Sequence, residues 1–467
     1  MPLRLLLALV LSSCYHLPKW EGDVVVHPIT RQAITTCGTG ALTAAGSRKI
    51  SRAPYLQSTT TRSTVVAWGS TDGNAEVVLR DPDGKVVTTS RAQYAGDPAR
   101  KAARLAAQKK LDDKLHPDDI YLVKAELANL EPTRLYCYQL VVGDIALTEP
   151  APLTTAAAPK PDTPIKFVAV GDTGTGGDAA RAIKKRMTEV EFDLMLFLGD
   201  IAYTSGTAAQ LETKFFQMYE DLLRYVPAYP AIGNHERRTR KGRPYFDAFV
   251  LPGAERYYSF DWGDVHFVAI DTTQYDSEQL TWLRDDLSRN KLPWVIAFGH
   301  HPPYTSSFRG PQRAVRRAFA KIFTDFKVDL VVSGHEHHYE RFRVADVNYV
   351  VSGGGGGQLN HFWDNRNALK QATVHHFLAF EVTAKTLVMN VQDITGKRIE
   401  TLRLTKDAQR EKVKVKVNDK PETKQNPIPA EPKTKPDETI HDGPDGDHDK
   451  QPENKGADKP SVPVTQQ

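Results

Sequence analysis

Thiols are scarce in this chain: there are only 3 cysteines in 467 residues. That excludes a disulfide-dense mini-scaffold and a cysteine-rich structural zinc site. An excess of one charge sign is missing too. With 61 basic and 57 acidic residues the formal net charge is +4. The basic residues are spread along the chain and many lie near its C-terminal end, so no nucleic-acid partner is expected. Long apolar runs are also lacking. The longest near the N-terminus, Leu5–Leu11, is too short to span a bilayer.

Arg4, the apolar Leu5–Leu11 run and Ser12-Ser13-Cys14 have the order of a signal peptide. Leu11-Ser12-Ser13-Cys14 resembles a bacterial lipobox, which makes Cys14 a lipidation site. The expectation is an exported, membrane-anchored lipoprotein, periplasmic or at the cell surface; the alternative is simple secretion. In either compartment disulfides persist. Cys37 and Cys137 are then left as a candidate pair, or as two buried thiols.

Five stretches can be read along the chain. Residues 1–13 are the signal peptide, and the Thr-, Ala- and Gly-rich residues 14–50 predict a loose spacer. Residues 51–159 carry short alternating runs, among them Ser63–Trp68, Ala75–Arg80, Lys85–Ser90, Ile120–Leu127 and Tyr136–Val142. These predict an all-β sandwich. Leu130–Tyr138 resembles the tyrosine-corner segment of fibronectin type III domains. Residues 98–115, charged and alanine-rich, read as a helical or mobile insertion. In residues 160–405 strands and helices alternate, predicting an α/β domain. Buried strands are expected at 165–170, 193–198, 294–298 and 328–332, helices at 178–190, 208–224, 276–289 and 311–326, and a hairpin within Tyr257–Thr272. Residues 406–467 are polar, charged and free of aromatics, which predicts a disordered tail.

One loop invites a nucleotide reading. Gly174-Thr175-Gly176-Gly177-Asp178-Ala179 matches G-x-G-x-x-A after a strand, with Asp200 downstream where a ribose ligand would sit. The other strand ends argue for something else. The apolar runs lead into Gly171-Asp172, Gly199-Asp200-Ile201-Ala202-Tyr203, Gly233-Asn234-His235-Glu236, Gly299-His300-His301 and Gly334-His335-Glu336-His337. Ligands of α/β folds bind at the carboxyl ends of strands, and glycine lets the backbone approach them closely. The donors are mixed oxygen and nitrogen with no thiolate, which suits iron, zinc or manganese. They are too many for one ion, and two ions sharing a carboxylate suit phosphoester hydrolysis.

These five blocks, in this order, resemble the purple acid phosphatases within the calcineurin-like metallophosphoesterases. The resemblance covers Ile165 to at least Arg341, and the preceding sandwich resembles the N-terminal domain of the larger members. It implies a four-layer α-β-β-α catalytic domain with a binuclear centre. Iron(III) would be held by Asp172, Asp200, Tyr203 and His337. A divalent ion (iron, zinc or manganese) would be held by Asp200, Asn234, His300 and His335, with Asp200 bridging. Many relatives have Asp-x-His in the first block; here that place is Gly174, and Tyr203 supplies the missing ligand. The implied activity is acid phosphatase hydrolysis of phosphomonoesters by direct attack of metal-activated hydroxide, with His235 at the leaving oxygen. Plant relatives carry a second histidine pair after the fourth block. This chain has Pro302–Gly310 instead, with His301 and Arg309 as candidate substrate contacts. Arg309 reads equally as a solvated loop residue. A phosphodiesterase would use the same ligands, and a non-catalytic surface lipoprotein would need a broken site. His338, Asp271 and the Gly353–Gly357 run read as structural, the last as glycines allowing close backbone approach.

Overall fold

The computed structural model describes residues 28–70, 73–94, 122–160, 162–308, 312–363 and 367–406. The signal peptide, Cys14, the 98–115 insertion, Arg309 and the tail beyond Lys406 lie outside them. Among the described residues no helix is long and apolar enough to cross a membrane.

Alternation of apolar and polar residues sorts the N-terminal strands into two sheets. One has the order Ile50–Gln57, Thr64–Ser70, Leu122–Leu127, Gln93–Tyr94. The other runs Val86–Arg91, Glu76–Arg80, Leu135–Val142, Ile145–Ala146, with Ala151–Thr154 also paired to Leu135–Val142. Their inward residues, including Trp68, Val77, Leu79 and Tyr138, join one core. The Tyr136 hydroxyl accepts the Glu131 N–H at 3.0 Å, five residues upstream. This is the tyrosine-corner contact that holds a sandwich edge.

The expected spacer is different where it is described. Residues 28–50 contain a helix, Pro28–Cys37, and a short turn of helix, Gly46–Lys49. They are fastened to the sandwich. Cys37 is bonded to Cys137 as a disulfide with Cα atoms 5.2 Å apart. The Gly40 N–H donates to Pro150 O at 2.8 Å, and the Thr43 hydroxyl donates to Ala146 O at 2.7 Å. Composition alone predicts a loose segment; the disulfide, these hydrogen bonds and the packing of Ile34, Leu42 and Ala45 against the core hold it in place.

The α/β part contains two sheets. The first has the order Ala228–Pro230, Leu194–Phe197, Ile165–Val170, His376–Val382, Thr386–Asp393, Arg398–Thr405. The second runs Tyr258–Trp262, Val265–Ala269, Trp294–Gly299, Leu330–Ser333, Val347–Ser352, Tyr339–Val344, Lys370–Ala372. Phe167 of the first sheet meets Phe267 of the second edge-on, with centroids 5.1 Å apart. The fold is therefore α/β with the sheets face to face, as the sequence predicts. Helices form at Asp178–Met187, Ser277–Arg289 and Arg313–Asp325. Asp276 caps the second of these, accepting from Gln279 N–H at 2.9 Å.

The expected helix over 208–224 breaks into Ala208–Leu211, a wide turn at Glu212–Phe216, and Glu220–Leu223. Phe215 and Phe216 are adjacent and both buried. Neighbours in a regular helix point about 100° apart, so widening the turn helps bring both rings inward.

The sandwich is docked through buried polar contacts. Tyr229 donates to Thr59 O at 2.8 Å, Tyr138 to Arg224 O at 2.9 Å and Gln57 Nε2 to Ala228 O at 3.0 Å. Arg52 Nε meets Glu212 Oε2 at 2.8 Å.

Candidate metal centre

The parallel strands all end on one side, and the chemistry gathers there. Asp172 follows Ile165–Val170, Asp200 follows Leu194–Phe197, and Asn234 opens the short helix Asn234–Arg238. His300 follows Trp294–Gly299, and His335 and His337 follow Leu330–Ser333. Three of these residues adopt left-handed backbone, Asp172 at φ 61°, Asp200 at φ 52° and His335 at φ 72°. The turns are tight enough that glycine neighbours matter. A Cβ on Gly174 would lie 2.3 Å from Ala202 N, and one on Gly357 would lie 2.5 Å from His337 Cε1. Gly174 is thus occupied by the 201–203 loop and does not serve as a phosphate cradle. The Gly353–Gly357 run has the close-approach role expected of it.

Donor atoms converge in two groups. In the first, Tyr203 O–H donates to Asp172 Oδ1 at 3.0 Å, and His337 Nε2 lies 3.0 Å from the Tyr203 oxygen and 3.3 Å from Asp172 Oδ1. In the second, His300 Nε2 lies 2.8 Å from Asn234 Oδ1 and 3.3 Å from His335 Nδ1. Asp200 Oδ2 is 3.1 Å from His300 Nε2. Ligand atoms of Asp172, Asp200 and His300 all lie within 4.8 Å of one another, so Asp200 stands between the groups.

The far sides of the imidazoles fix which nitrogen faces in. His300 Nδ1 donates to Leu198 O at 2.8 Å and His337 Nδ1 to Gln358 O at 2.7 Å. Both Nε2 atoms therefore point at the cluster. His235 Nδ1 donates to Thr204 O at 2.6 Å, leaving Nε2 toward the cluster, 3.8 Å from Asp200 Oδ2.

Lone pairs packed this closely demand a cation. Burial opposes charge on His300, but the Asp200 carboxylate outweighs it and pushes the imidazole up to about 10. His300 in turn holds Asp200 well below the usual carboxylate range against burial. Burial, then the Asp172 and Asp200 charges, push the Tyr203 phenol well above its ordinary value. The group holds a positive charge either as a proton on His300 or as metal ions among the same donors, and only cations would let Tyr203 ionise. The residues present therefore fit a metal pair.

Glu236 holds the site's backbone. Its Oε2 accepts the N–H groups of Gly233 and Asp200, each at 2.9 Å, and its Oε1 those of Ile201 and Ala202, each at 3.0 Å. Burial, then the Asp200 charge, push its carboxyl up to about 8, against the pull of the His300 charge and of the Gly233 and Asp200 N–H donors. Lys214 Nζ donates to Tyr203 O at 2.7 Å. Glu236 falls inside the third block, three residues from Gly233, but its contacts to 200–202 and the Lys214 contact to Tyr203 lie far along the chain and leave no local signal.

The expected substrate contacts fare differently. His235 keeps 12 % of its side chain exposed beside Asp200. His301 lies beside the cluster, one ring nitrogen within 4.8 Å of ligand nitrogens of His300 and His335. It is 4 % exposed, accepts or donates to the Thr272 hydroxyl at 3.3 Å, and packs against His335 with centroids 4.4 Å apart. Burial and the adjacent His300 pull it down to about 3, so it packs as a neutral ring. Asp271 is structural, paired with Arg237 and accepting the Thr273 and Gln274 N–H groups. His338 is fully buried against Glu340 at 3.1 Å.

Residues 165–339 match the family model described as calcineurin-like phosphoesterase. Purple acid phosphatase 15 of Arabidopsis thaliana is 29 % identical over 285 residues, covering 50 % of this chain and 53 % of the relative. Purple acid phosphatase 22 of the same plant is 31 % identical over 225 residues, covering 42 % and 51 %. The chain thus spans about half the length of these curated relatives. In fold it is similar to purple acid phosphatase PPD1 from yellow lupin (Lupinus luteus) seeds. The TM-score is 0.64 at 19 % identity, covering 76 % of this chain and 74 % of that one.

Proposed function

We propose, from the premise that residues 165–339 form a calcineurin-like phosphoesterase domain related to those of the purple acid phosphatases, that this chain is a metal-dependent phosphoesterase hydrolysing phosphomonoesters. The observation that carries the reading is the convergence of two carboxylates, a phenol, an amide oxygen and three imidazoles at the ends of neighbouring strands, without a thiolate.

Asp172, Asp200, Tyr203 and His337 would hold iron(III), and Asp200, Asn234, His300 and His335 a divalent iron, zinc or manganese. When bound, such a pair neutralises phosphate charge and acidifies water. The chain's own residues supply the rest. Asp200, fixed by the His235 backbone N–H at 2.9 Å on Oδ1, presents Oδ2 toward both donor groups. His235, held by Nδ1–H to Thr204 O, offers Nε2 to the leaving-group oxygen and, when doubly protonated, can deliver the Nε2 proton there.

Metal analysis, a visible spectrum and turnover on matched mono- and diesters test the reading. Two metals per chain, a tyrosinate-to-iron band and preference for the monoester are expected. A metal-loaded protein inert on every phosphoester sinks it, and preference for diesters replaces the monoesterase with a phosphodiesterase. We also propose export and anchoring through Cys14, supported by the Leu11–Cys14 sequence alone. Labelled palmitate entering wild type and a Cys14→Ala variant equally would overturn that.

A further inference from the structure

Glu336 sits between two ligands of the proposed centre and has no part in the reading so far. It is fully buried. Its Oε2 accepts from Asn360 Nδ2 at 3.2 Å, and Asn360 is itself anchored by donating its backbone N–H to His337 O at 3.1 Å. Its Oε1 has no hydrogen-bond partner among the described residues. A buried carboxylate oxygen left so is costly, and a native structure gives it something to do.

The group within reach is His335. That ring turns Nδ1 inward, 3.2 Å from Asn234 Oδ1 and 3.3 Å from His300 Nε2. Its Nε2 lies on the opposite edge, 4.0 Å from Glu336 Oε1. For Nδ1 to present a lone pair, the ring proton must be on Nε2. A carboxylate beside Nε2 favours that tautomer, fixes the ring plane and makes Nδ1 a stronger donor. A hydrogen bond there needs the pair roughly 1 Å closer than the 4.0 Å seen.

We infer that Glu336 is a positioning residue: its Oε1 orients His335 and holds the Nε2–H tautomer, so that Nδ1 serves as a metal donor. The inference rests on the metal-centre reading above. It explains one buried acid that neither strand pairing nor core packing requires. It also separates the two histidines of the fifth block, since His337 is oriented by the Gln358 carbonyl instead.

The test uses full-length protein, stripped of metal and titrated with zinc(II) against a chromophoric chelator, for wild type, Glu336→Gln and Glu336→Val. Circular dichroism and denaturant midpoints of the zinc-free proteins are recorded beside it. Glu336→Gln is nearly isosteric and removes the charge that favours the tautomer. It should weaken one zinc equivalent by roughly 10- to 100-fold and leave the other unchanged. Excess zinc should restore full occupancy, and the zinc-free midpoint should be equal or higher. Glu336→Val should show at least the same loss. Both equivalents binding as in wild type would overturn the inference. So would failure of both variants to fold without metal, since that makes Glu336 a folding residue. A wild-type chain that takes up no zinc would instead sink the metal-centre reading, and this inference with it.

Discussion

Replacing Glu236 by glutamine removes one oxygen and adds no bulk, yet it should be among the most damaging conservative changes in this chain. Both carboxylate oxygens accept two backbone N–H groups, from Gly233 and Asp200 on one side and Ile201 and Ala202 on the other, at 2.9–3.0 Å. Burial and the Asp200 charge favour a proton on this carboxyl, but a proton on either oxygen would point at an N–H, so the four donors favour the ionised form. A glutamine amide can accept through one oxygen only; its NH2 would face the other pair. Two buried N–H groups then lose their acceptors, at ~1–3 kcal/mol each, for a total of about 2–6 kcal/mol. That is a large share of the roughly 5–15 kcal/mol that holds a typical domain. The measurement is denaturant unfolding of metal-free Glu236→Gln against wild type, reading the midpoint at unchanged slope. One of the four donors is the backbone of Asp200, so metal retention should fall as well. A variant within about 0.5 kcal/mol of wild type, below the typical cost of an unmade buried bond, would refute the four-acceptor reading.

His235→Ala should lower turnover about 10²- to 10⁴-fold with metal content intact, because the contact to Asp200 Oδ1 comes from its backbone N–H and survives the change. Metal loss in that variant, seen by elemental analysis, would make the side chain structural. His266 lies between Asp261 Oδ1 at 2.7 Å and Asp286 Oδ2 at 2.8 Å. Burial opposes its charge, but these bonds push it up to about 9 from an ordinary value of 6.5. Its folded value is the higher one, so the stabilisation is complete below about pH 6.5 and is lost as pH rises through about 9. Allowing for screening at exposed Asp261, about 2–3 kcal/mol should disappear over that window, and a His266→Gln variant should lack the dependence in denaturant titrations. Reduction of Cys37–Cys137, which closes a loop with a sequence separation of 100, should cost about 4–5 kcal/mol of unfolding free energy by the loop-entropy argument.

The sequence exposed what is local. Each metal-type side chain follows its own strand and glycine, so five short windows contained the donor set. The strands at 165–170 and 294–299 and the helices from Asp178 and Ser277 follow from periodicity and caps. What it hid is what depends on return paths through space. Leu198, Thr204 and Gln358 orient histidines through main-chain carbonyls, which have no residue signature. Which of the adjacent His300 and His301 rings meets Asp200 and Asn234 is set by tertiary packing, and adjacency in sequence says nothing about it. The antiparallel strands His376–Val382, Thr386–Asp393 and Arg398–Thr405 complete the first sheet from far along the chain, and residues 28–50 are held by a disulfide to Cys137 and by Ile34, Leu42 and Ala45 against the core, partners that local composition does not reveal.

Asp172, Asp200 and His335 all hold left-handed backbone, where a side chain other than glycine costs on the order of 1–3 kcal/mol. Random substitution at these positions therefore has a direction. Glycine would relax the main chain while deleting a proposed ligand, so stability of the metal-free chain should rise as metal affinity falls. Conversely, ligand binding that favours the folded chain adds stability by mass action, about 4 kcal/mol at a thousandfold excess over the dissociation constant. On the proposed metal-centre reading, thermal tolerance should then follow the metal supply of the surroundings.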